Sequence, residues 1–303
     1  MASKFIKIVI IGFIGLIFAS IALYYIFPET TSDLLIALER NVGGVSQKSL
    51  TVEGFRIEYL EGGQGDALVL LHGFGANKDN WTRWAKFLTP HFRLIIPDLP
   101  GFGQSTATPE IDYSISAQVD RLKAFMTALG IKTFHIGGSS MGGSISGAYA
   151  SKYPEDVLSL VLISPGGVVS SQTSEMQKLM KDDKKNPLIS KNTDDYERML
   201  DFVFYKKPFI PGVIKNRLAQ HAIEHQPLNE MIWRQLVSYW NNHSLEKLLN
   251  GQKKPSLIIW GTNDRVLHVS GASILKEVMP NSQIVLMDNV GHLPMIEDPK
   301  VSA

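Results

Sequence analysis

The stretch "HIGGSSMGGS", residues 135–144, places two serines between two pairs of glycines. The residues "FHIGG" have the short apolar pattern of a strand, and "SMGGSISGAYASKY" has the small residues of a closely packed helix. The template G-x-S-x-G fits once around a serine, from Gly138 to Gly142, with Ser140 at its centre. A strained turn that leads from a strand into a helix and exposes a serine at its tip needs glycines two residues before and two residues after that serine. The pattern therefore predicts Ser140 as a nucleophile and Ser139 as a spacer.

The segments around this turn alternate between strand and helix patterns. Short apolar runs, each followed by a turn signal, predict strands at "ALVLLHG", "RLIIPDLPG", "LSLVLISPGG", "SLIIWG" and "QIVLMD". Residues 50–60 predict a hairpin, and helical spacing of apolar residues predicts a helix from Ile115 to Leu129. Strands that are apolar throughout and separated by helices form a mainly parallel sheet with helices on both faces. The predicted fold class is α/β.

The alternation stops between residues 166 and 252. This region has no strand pattern; it contains helical patterns, lysine-rich and acidic turns, and the two prolines of "KKPFIPG". We expect an all-helical cap insertion here, laid over one end of the sheet. The α/β core then consists of residues 29–165 and 253–303. An extra packing layer with no role in specificity is the alternative interpretation.

The N-terminus differs from the rest of the chain. After Lys4 and Lys7, the 20 residues from Ile8 to Phe27 carry no charge. A helix of this length reaches about 30 Å, enough to cross the hydrocarbon core of a membrane. We expect residues 1–28 to form a membrane anchor, with the domain behind it outside the cytoplasm. A signal peptide cleaved at the small residues Ser20 and Ala22, followed by secretion, is the alternative.

The overall composition excludes some classes of protein. The formal net charge is +1, from 30 basic and 29 acidic side chains, so there is no electrostatic reason to expect a nucleic-acid partner. The sequence contains no cysteine, which excludes disulfides, thiolate metal sites and a cysteine nucleophile. The sequence does not determine an oligomeric state.

A serine nucleophile needs a base to take its proton and an acid to orient that base. Among the eight histidines, His292 alone stands in a loop directly after the final apolar strand. Asp264 stands in the loop after the strand "SLIIWG". Taken singly, Asp264 suits a turn cap and His292 an ordinary loop residue. Together with Ser140, each in the loop that its role requires, they predict a catalytic triad.

The tetrahedral intermediate of ester hydrolysis needs hydrogen-bond donors for its oxyanion. The strand "LVLL" leads into "HGFG", so the backbone N–H of Phe74 is one candidate donor. The backbone N–H of Met141, directly after Ser140, is the other. We expect His72 to brace its loop by hydrogen bonding and Asp98 to order the loop "PDLPGFGQS", neither of them transferring protons.

Five segments together resemble the α/β-hydrolase superfamily: "LLHGFGANKDNW", "IIPDLPGFGQS", "GGSSMGGSISGAYASKYP", "WGTNDRVLHVSGA" and "GHLPMIEDP". More narrowly, they resemble the branch of cold-adapted bacterial lipases and membrane-anchored monoacylglycerol lipases. The resemblance covers roughly residues 50–300. It implies hydrolysis of carboxylic esters of acylglycerol-type lipids, with no metal or organic cofactor.

The sequence departs from this family in two places. Many relatives have proline three or four residues after the acid, where this chain has Leu267 and His268. The chain also stops at "PKVSA", where the family leads us to expect a closing helix.

Three other functions are compatible with parts of this pattern. A carbon–carbon bond hydrolase or an amide or peptide hydrolase on the same fold would keep the triad and differ in the cap. A dehalogenase or epoxide hydrolase would need a carboxylate nucleophile at position 140, and the serine there argues strongly against it. A ligand-binding relative without catalysis is the remaining alternative, and the complete triad argues against it.

Overall fold

The centre of the protein is a single eight-stranded sheet. The computed structural model describes residues 5–6, 9–11, 23–183 and 185–303. Strand order across the sheet is β1-β2-β4-β3-β5-β6-β7-β8. The strands are β1 Val45–Val52, β2 Phe55–Gly62, β3 Ala67–Leu71, β4 Arg93–Pro97, β5 Phe134–Ser139, β6 Val157–Ile163, β7 Ser256–Gly261 and β8 Ser282–Met287.

The sheet is mainly parallel, as the sequence predicted. Strands β3 to β8 all run in one direction, and β2 pairs antiparallel with both β1 and β4. The predicted hairpin at residues 50–60 is longer in the structure, since its register begins with Val45 opposite Gly62. Its turn uses Glu53 and Gly54, both with positive φ, at 51° and 83°. Two such residues form the hairpin turn whose twist matches that of the strands.

Helices connect the parallel strands. The predicted helix at Ile115 is α3, which begins at a side-chain cap from Ser114 and ends one residue earlier than expected, at Ala128. The helices are α1 Pro28–Val42, α2 Thr82–Leu88, α3 Ile115–Ala128, α4 Met141–Lys152, α5 Glu175–Asp182, α6 Thr193–Val203, α7 Gly212–Glu224, α8 Gln226–Asn242, α9 Leu245–Leu248, α10 Gly271–Val278, α11 Pro294–Glu297 and α12 Pro299–Ser302.

Both faces of the sheet are buried. Every residue of β3 is buried, and its side chains alternate between two apolar clusters. Val69 and Leu71 belong to the larger cluster, and Leu68 and Leu70 to the other. Because successive side chains of a strand point to opposite faces, the two clusters lie on opposite sides of the sheet. Burial of each such side chain contributes about 1.5–3 kcal/mol to folding.

The chain between β6 and β7 forms the helices α5 to α9, and its described residues contain no strand. We call residues 166–252 the helical segment. It has an apolar cluster of its own, the helical-segment cluster, which also includes Val266 from the loop after β7. The helical segment therefore packs against the loops at the carboxyl ends of the parallel strands. The cluster's buried members are Met176, Tyr196, Leu200, Phe202, Val203, Phe204, Ala219 and Val266.

Most of the predicted apolar span from Ile8 to Phe27 lies outside the described residues. Within the described part of the chain, no helix has both the length and the apolar character needed to cross a membrane. Directly after this span, α1 begins at Pro28. Its hydrophobic residues Leu34, Leu38 and Val42, spaced four apart, are 56–62% exposed. Helix α1 thus presents an apolar stripe away from the protein.

Candidate active site

Ser140 occupies the turn between β5 and α4. Its backbone angles are φ 56° and ψ −118°, a conformation that costs a non-glycine residue about 1–3 kcal/mol. The turn is held on both sides, since the Ser140 N–H donates to the Ile163 carbonyl at 3.0 Å and the Ser140 carbonyl accepts from the Gly166 N–H at 2.9 Å. The structure thus contains the strained strand-to-helix turn that the pentapeptide predicted.

The two outer glycines of the pentapeptide are required by packing. A Cβ atom on Gly138 would lie 2.2 Å from the carbonyl oxygen of Gly142. A Cβ atom on Gly142 would lie 2.2 Å from the carbonyl oxygen of Leu71 in β3. Both contacts are with backbone atoms, which cannot move aside. Helix α4 can therefore approach the sheet only with glycine at both positions.

Asp264 and His292 form a buried pair. The Nδ1 atom of His292 lies 2.8 Å from Oδ2 of Asp264, and the side chains are 5% and 0% exposed. Because a carboxylate accepts and cannot donate, Nδ1 of His292 carries the proton. The Nε2 atom of the neutral ring is then an unprotonated acceptor.

Additional hydrogen bonds fix the Asp264 carboxylate. Its Oδ1 atom accepts from the N–H groups of Val266 and Leu267, at 2.8 and 3.0 Å. Its Oδ2 atom accepts from the indole N–H of Trp260 at 3.1 Å. A proline at position 267 would have no N–H to donate, so this second bond requires a residue other than proline there.

The loop after β3 lies against Ser140. A Cβ atom on Gly73 would be 3.2 Å from Cβ and 3.7 Å from Oγ of Ser140, so Phe74, the next residue, belongs to the same loop beside the serine. Met141 is the first residue of α4, where the backbone N–H has no partner within the helix. Met141 is thus adjacent to Ser140 in the chain, and the loop that contains Phe74 lies against the serine; their N–H groups remain the predicted oxyanion donors.

Ser140 and His292 are not directly hydrogen-bonded. The hydrogen bonds of the described residues join His292 to Asp264 and include none between the Ser140 hydroxyl and the His292 ring. Contacts between a nucleophile and its base are often long before substrate binds. The structure thus joins two of the three predicted residues and places the third at the carboxyl end of β5, on the same edge of the sheet but with β6 between β5 and β7.

The chain matches the family described as the alpha/beta hydrolase fold over residues 66–299. It belongs to the α/β-hydrolase family. Lipase 1 of Psychrobacter immobilis is 40% identical over 274 residues, covering 88% of this chain and 84% of that lipase. Monoacylglycerol lipase ABHD6 of Homo sapiens is 32% identical over 298 residues, covering 95% of this chain and 88% of that protein.

One solved structure resembles this α/β hydrolase over almost its full length. It is the crystal structure of a membrane phospholipase A, a bacterial virulence factor, with 36% sequence identity and a TM-score of 0.88. The match covers 98% of this chain and 95% of that one. The similarity to these relatives therefore includes the helical segment as well as the sheet.

His72 braces its loop in this α/β hydrolase, as expected. Its Nδ1 donates to the carbonyl of Gly73 at 2.8 Å, and its Nε2 accepts from the N–H of Leu99 at 3.0 Å. Burial lowers the pKa of His72, so the ring stays neutral. With both ring nitrogens engaged, His72 has none left for proton transfer.

Asp98 orders its loop, also as expected, but its main partner was not predicted. Lys78 is 1% exposed, and its Nζ donates to Oδ2 of Asp98 at 2.7 Å. The N–H of Lys78 donates to Oδ1 and that of Gln104 to Oδ2, at 2.7 and 2.8 Å. This buried ion pair joins the loop after β4 to the loop that carries Phe74. Sequence reasoning did not predict this pair, because a lysine in a loop is ordinarily exposed.

Glu297 is a second residue that sequence reasoning missed. Its carboxylate accepts from the N–H of Gly291, directly before His292, at 2.8 Å. It also accepts from the N–H groups of Tyr205 and Lys206, at 3.0 and 2.9 Å. Burial raises the pKa of the Glu297 carboxyl, and these donors oppose that shift. Glu297 thus ties the His292 loop to the chain that leaves α6.

Proposed function

We propose that this α/β hydrolase cleaves carboxylic esters of lipids through an acyl-enzyme formed on Ser140. The carrying observation is the buried, hydrogen-bonded pair of Asp264 and His292 at the same sheet edge as a serine on a strained turn. This arrangement supplies an activated nucleophile, since a serine hydroxyl reacts only when a base removes its proton. The comparisons support the reaction type, because the similar proteins are named as lipases and as a phospholipase.

The reaction begins when Nε2 of His292 takes the proton of the Ser140 hydroxyl as its oxygen attacks the ester carbonyl. Asp264 stabilises the resulting imidazolium through Nδ1. The N–H groups of Phe74 and Met141 hold the oxyanion, and each such donor is worth about 2.7–4 kcal/mol in the transition state. His292 then protonates the leaving alcohol, and a water activated by the same ring releases the acid.

Within this proposal, the helical segment is a cap that binds the acyl chain. Its apolar cluster extends to Val266 and to the partly buried Leu267 and Leu293, the neighbours of the proposed acid and base. Burial of an acyl chain contributes about 0.8 kcal/mol per methylene. An apolar cap at this position therefore favours long acyl groups, such as those of acylglycerols, over short ones.

We further propose that residues 1–28 anchor the enzyme to a membrane, with the catalytic domain outside the cytoplasm. The exposed stripe of Leu34, Leu38 and Val42 on α1 supports this, because a helix that follows an apolar span and is apolar on its outer face suits a membrane surface. The alternative is a secreted enzyme after signal-peptide cleavage. Fractionation with N-terminal sequencing separates the two: the full-length chain in the membrane fraction supports the anchor, and a mature chain starting near Leu23 contradicts it.

The activity is tested with p-nitrophenyl esters from acetate to palmitate, hydrolysed by the full chain in detergent micelles. Ser140→Ala serves as the background. A rate that peaks at medium or long acyl chains supports a lipase with an acyl-binding cap. If no ester is cleaved above background while a fluorophosphonate still labels Ser140, ester hydrolysis is contradicted and a carbon–carbon or amide hydrolase takes its place.

A further inference from the structure

The loops that carry Asp264 and His292 both contact one short stretch of the helical segment. This stretch is residues 201–206, the last residues of α6 and the three that follow it, and we call it the α6 end. Its residues Phe202, Val203 and Phe204 are 5–7% exposed and belong to the helical-segment cluster. The α6 end is therefore a buried part of the helical segment.

The His292 loop contacts the α6 end through two backbone groups. The N–H of His292 donates to the carbonyl of Val203 at 2.8 Å. The N–H of Gly291 donates to Oε1 of Glu297 at 2.8 Å, and Oε2 of Glu297 accepts from two N–H groups of the α6 end, at 3.0 and 2.9 Å. A Cβ atom on Gly291 would lie 2.6 Å from the carbonyl oxygen of Val203, so the two chains are in direct contact.

The Asp264 loop contacts the same stretch through Arg265, the residue directly after Asp264. The Arg265 guanidinium donates to the carbonyl of Asp201 at 3.3 Å and lies over the ring of Phe202, 4.5 Å from its centroid. It also donates two hydrogen bonds to the carboxylate of Glu175 on α5, at 2.6 and 2.7 Å. The loops after β7 and β8 thus share one support outside the sheet.

A shared support matters because the proposed acid and base lie far apart in the chain. Asp264 and His292 are separated by 28 positions, yet their side chains meet at 2.8 Å. Catalytic groups need to be held within about 0.5 Å of their productive geometry. Two loops that each rest on a different strand keep such a distance best when a third element contacts both.

We propose that the α6 end positions the Asp264–His292 pair for catalysis, through Glu297 on the His292 side and Arg265 on the Asp264 side. This inference rests on the proposed function. It gives the helical segment a role in the chemistry besides the binding of substrate. Glu297 and Arg265 act through His292 and Asp264, so they are positioning residues.

The main test is Glu297→Gln. An amide has a single acceptor oxygen, so in either orientation its NH₂ group faces a backbone N–H and one side of the bridge is lost. With the full chain in detergent micelles and p-nitrophenyl butyrate as substrate, we expect kcat to fall about tenfold to hundredfold at unchanged KM. A misplaced base weakens the transition state and leaves binding of the ester intact.

The second readout of Glu297→Gln needs no substrate. The proton on Nδ1 of His292 lies in a hydrogen bond to a carboxylate and should give a low-field proton NMR signal, assigned by its absence from His292→Ala. We expect this signal to shift upfield in Glu297→Gln, because the hydrogen bond to Asp264 lengthens when the His292 loop loses its support.

Glu246→Gln is the matched control. Glu246 is also a buried glutamate of the helical segment, and its carboxylate accepts from the N–H groups of Val169 and Ser170, at 3.3 and 3.1 Å. These bonds involve no residue of the proposed triad. After normalisation to the folded fraction from circular dichroism, Glu246→Gln should keep the wild-type kcat and the wild-type His292 signal.

A wild-type kcat or a wild-type His292 signal in Glu297→Gln overturns the inference, and so does an equal loss of kcat in Glu246→Gln. Should Glu297→Gln fold poorly, Arg265→Met tests the other loop, since the Arg265 side chain is 45% exposed. Its kcat should fall about threefold to tenfold at unchanged KM, and an unchanged kcat overturns the inference. If the wild-type enzyme hydrolyses no ester, the proposed function fails, and the His292 signal alone tells whether the α6 end positions this histidine.

Discussion

Two buried aspartates, each in a loop directly after a parallel strand, hold different partners. Asp98 follows β4 and binds the ammonium of Lys78 at 2.7 Å. Asp264 follows β7 and binds the imidazole of His292 at 2.8 Å. Both carboxylates also accept two backbone N–H groups, so each orders the loop that contains it.

The two pairs differ in whether the partner of the aspartate can still exchange a proton. Both Lys78 and the Asp98 carboxylate are buried, and Lys78 directs a second hydrogen bond to Gln104 at 2.9 Å. A lysine ammonium is a fixed charge that only donates. His292 uses one ring nitrogen for Asp264 and keeps the other for proton exchange. The same carboxylate chemistry therefore serves a structural purpose with lysine and a catalytic one with histidine.

The largest effect is expected when the nucleophile is removed, which tests the catalytic role of the Asp264–His292 pair. Ser140→Ala should lower kcat on p-nitrophenyl butyrate by a factor on the order of 10⁶, because the Asp264–His292 pair acts only through the serine hydroxyl. Stopped-assay kinetics, normalised to the folded fraction from circular dichroism, measure the loss. Ser139→Ala is the matched control and should keep most of the activity; the reverse pattern would mean that Ser139 is the nucleophile.

The second prediction concerns the acid. Asp264→Asn should lower kcat on the order of 10⁴-fold, because an amide neither stabilises the imidazolium nor fixes the tautomer of His292. The measurement is kcat for a short-chain ester, normalised to the folded fraction from circular dichroism. Full activity of Asp264→Asn would show that another carboxylate orients His292.

Breaking the pair of Lys78 and Asp98 should lower the stability of the fold and not the catalytic rate. Lys78→Met leaves the Asp98 carboxylate buried without its cation and should lower the free energy of unfolding by about 3–5 kcal/mol. Urea unfolding measures this change. The control is Lys48→Met, which removes an ion pair whose lysine is 50% exposed and should leave the free energy of unfolding close to the wild-type value. If the two variants unfolded alike, the buried pair would contribute no more than a surface one.

The smallest effect is expected when the hydrogen bond from Trp260 to the Asp264 carboxylate is removed. Trp260→Phe removes the indole N–H that donates to Oδ2 and should reduce kcat about threefold to tenfold. Active-site titration with a fluorophosphonate separates this loss from loss of folded enzyme. Trp84→Phe removes a buried indole bond to Ser302, in which no triad residue takes part, and should leave kcat at the wild-type value. Equal kcat in both variants would show that Asp264 does not need Trp260.

The sequence predicted the parallel strands well, because a strand buried on both faces appears as an uninterrupted apolar run. It did not predict α1. The apolar residues Leu34, Leu38 and Val42 of this helix are exposed, so the helix lacks the usual pattern of an apolar face against the core. The two strands of the hairpin were located, but its true length depends on backbone pairing that residue type does not determine.

The candidate triad was predicted because each residue stands in a short loop after a strand, where position follows from topology alone. The groups that support it were missed. Trp260 and Glu297 reach Asp264 and the His292 loop through the direction of their side chains, which periodicity does not give. The pair of Lys78 and Asp98 joins two loops separated by a full strand, and neither residue type differs in sequence from an exposed one.

The packing of Gly138 and Gly142 also limits what can be inferred about function from the G-x-S-x-G motif. A side chain at either glycine would collide with backbone atoms at 2.2 Å, whether or not any reaction takes place. In a library of random substitutions, these two positions should tolerate nothing else, even when the library is selected only for soluble expression. The glycines of the motif therefore diagnose the architecture, and the residue at position 140 alone carries information about the chemistry.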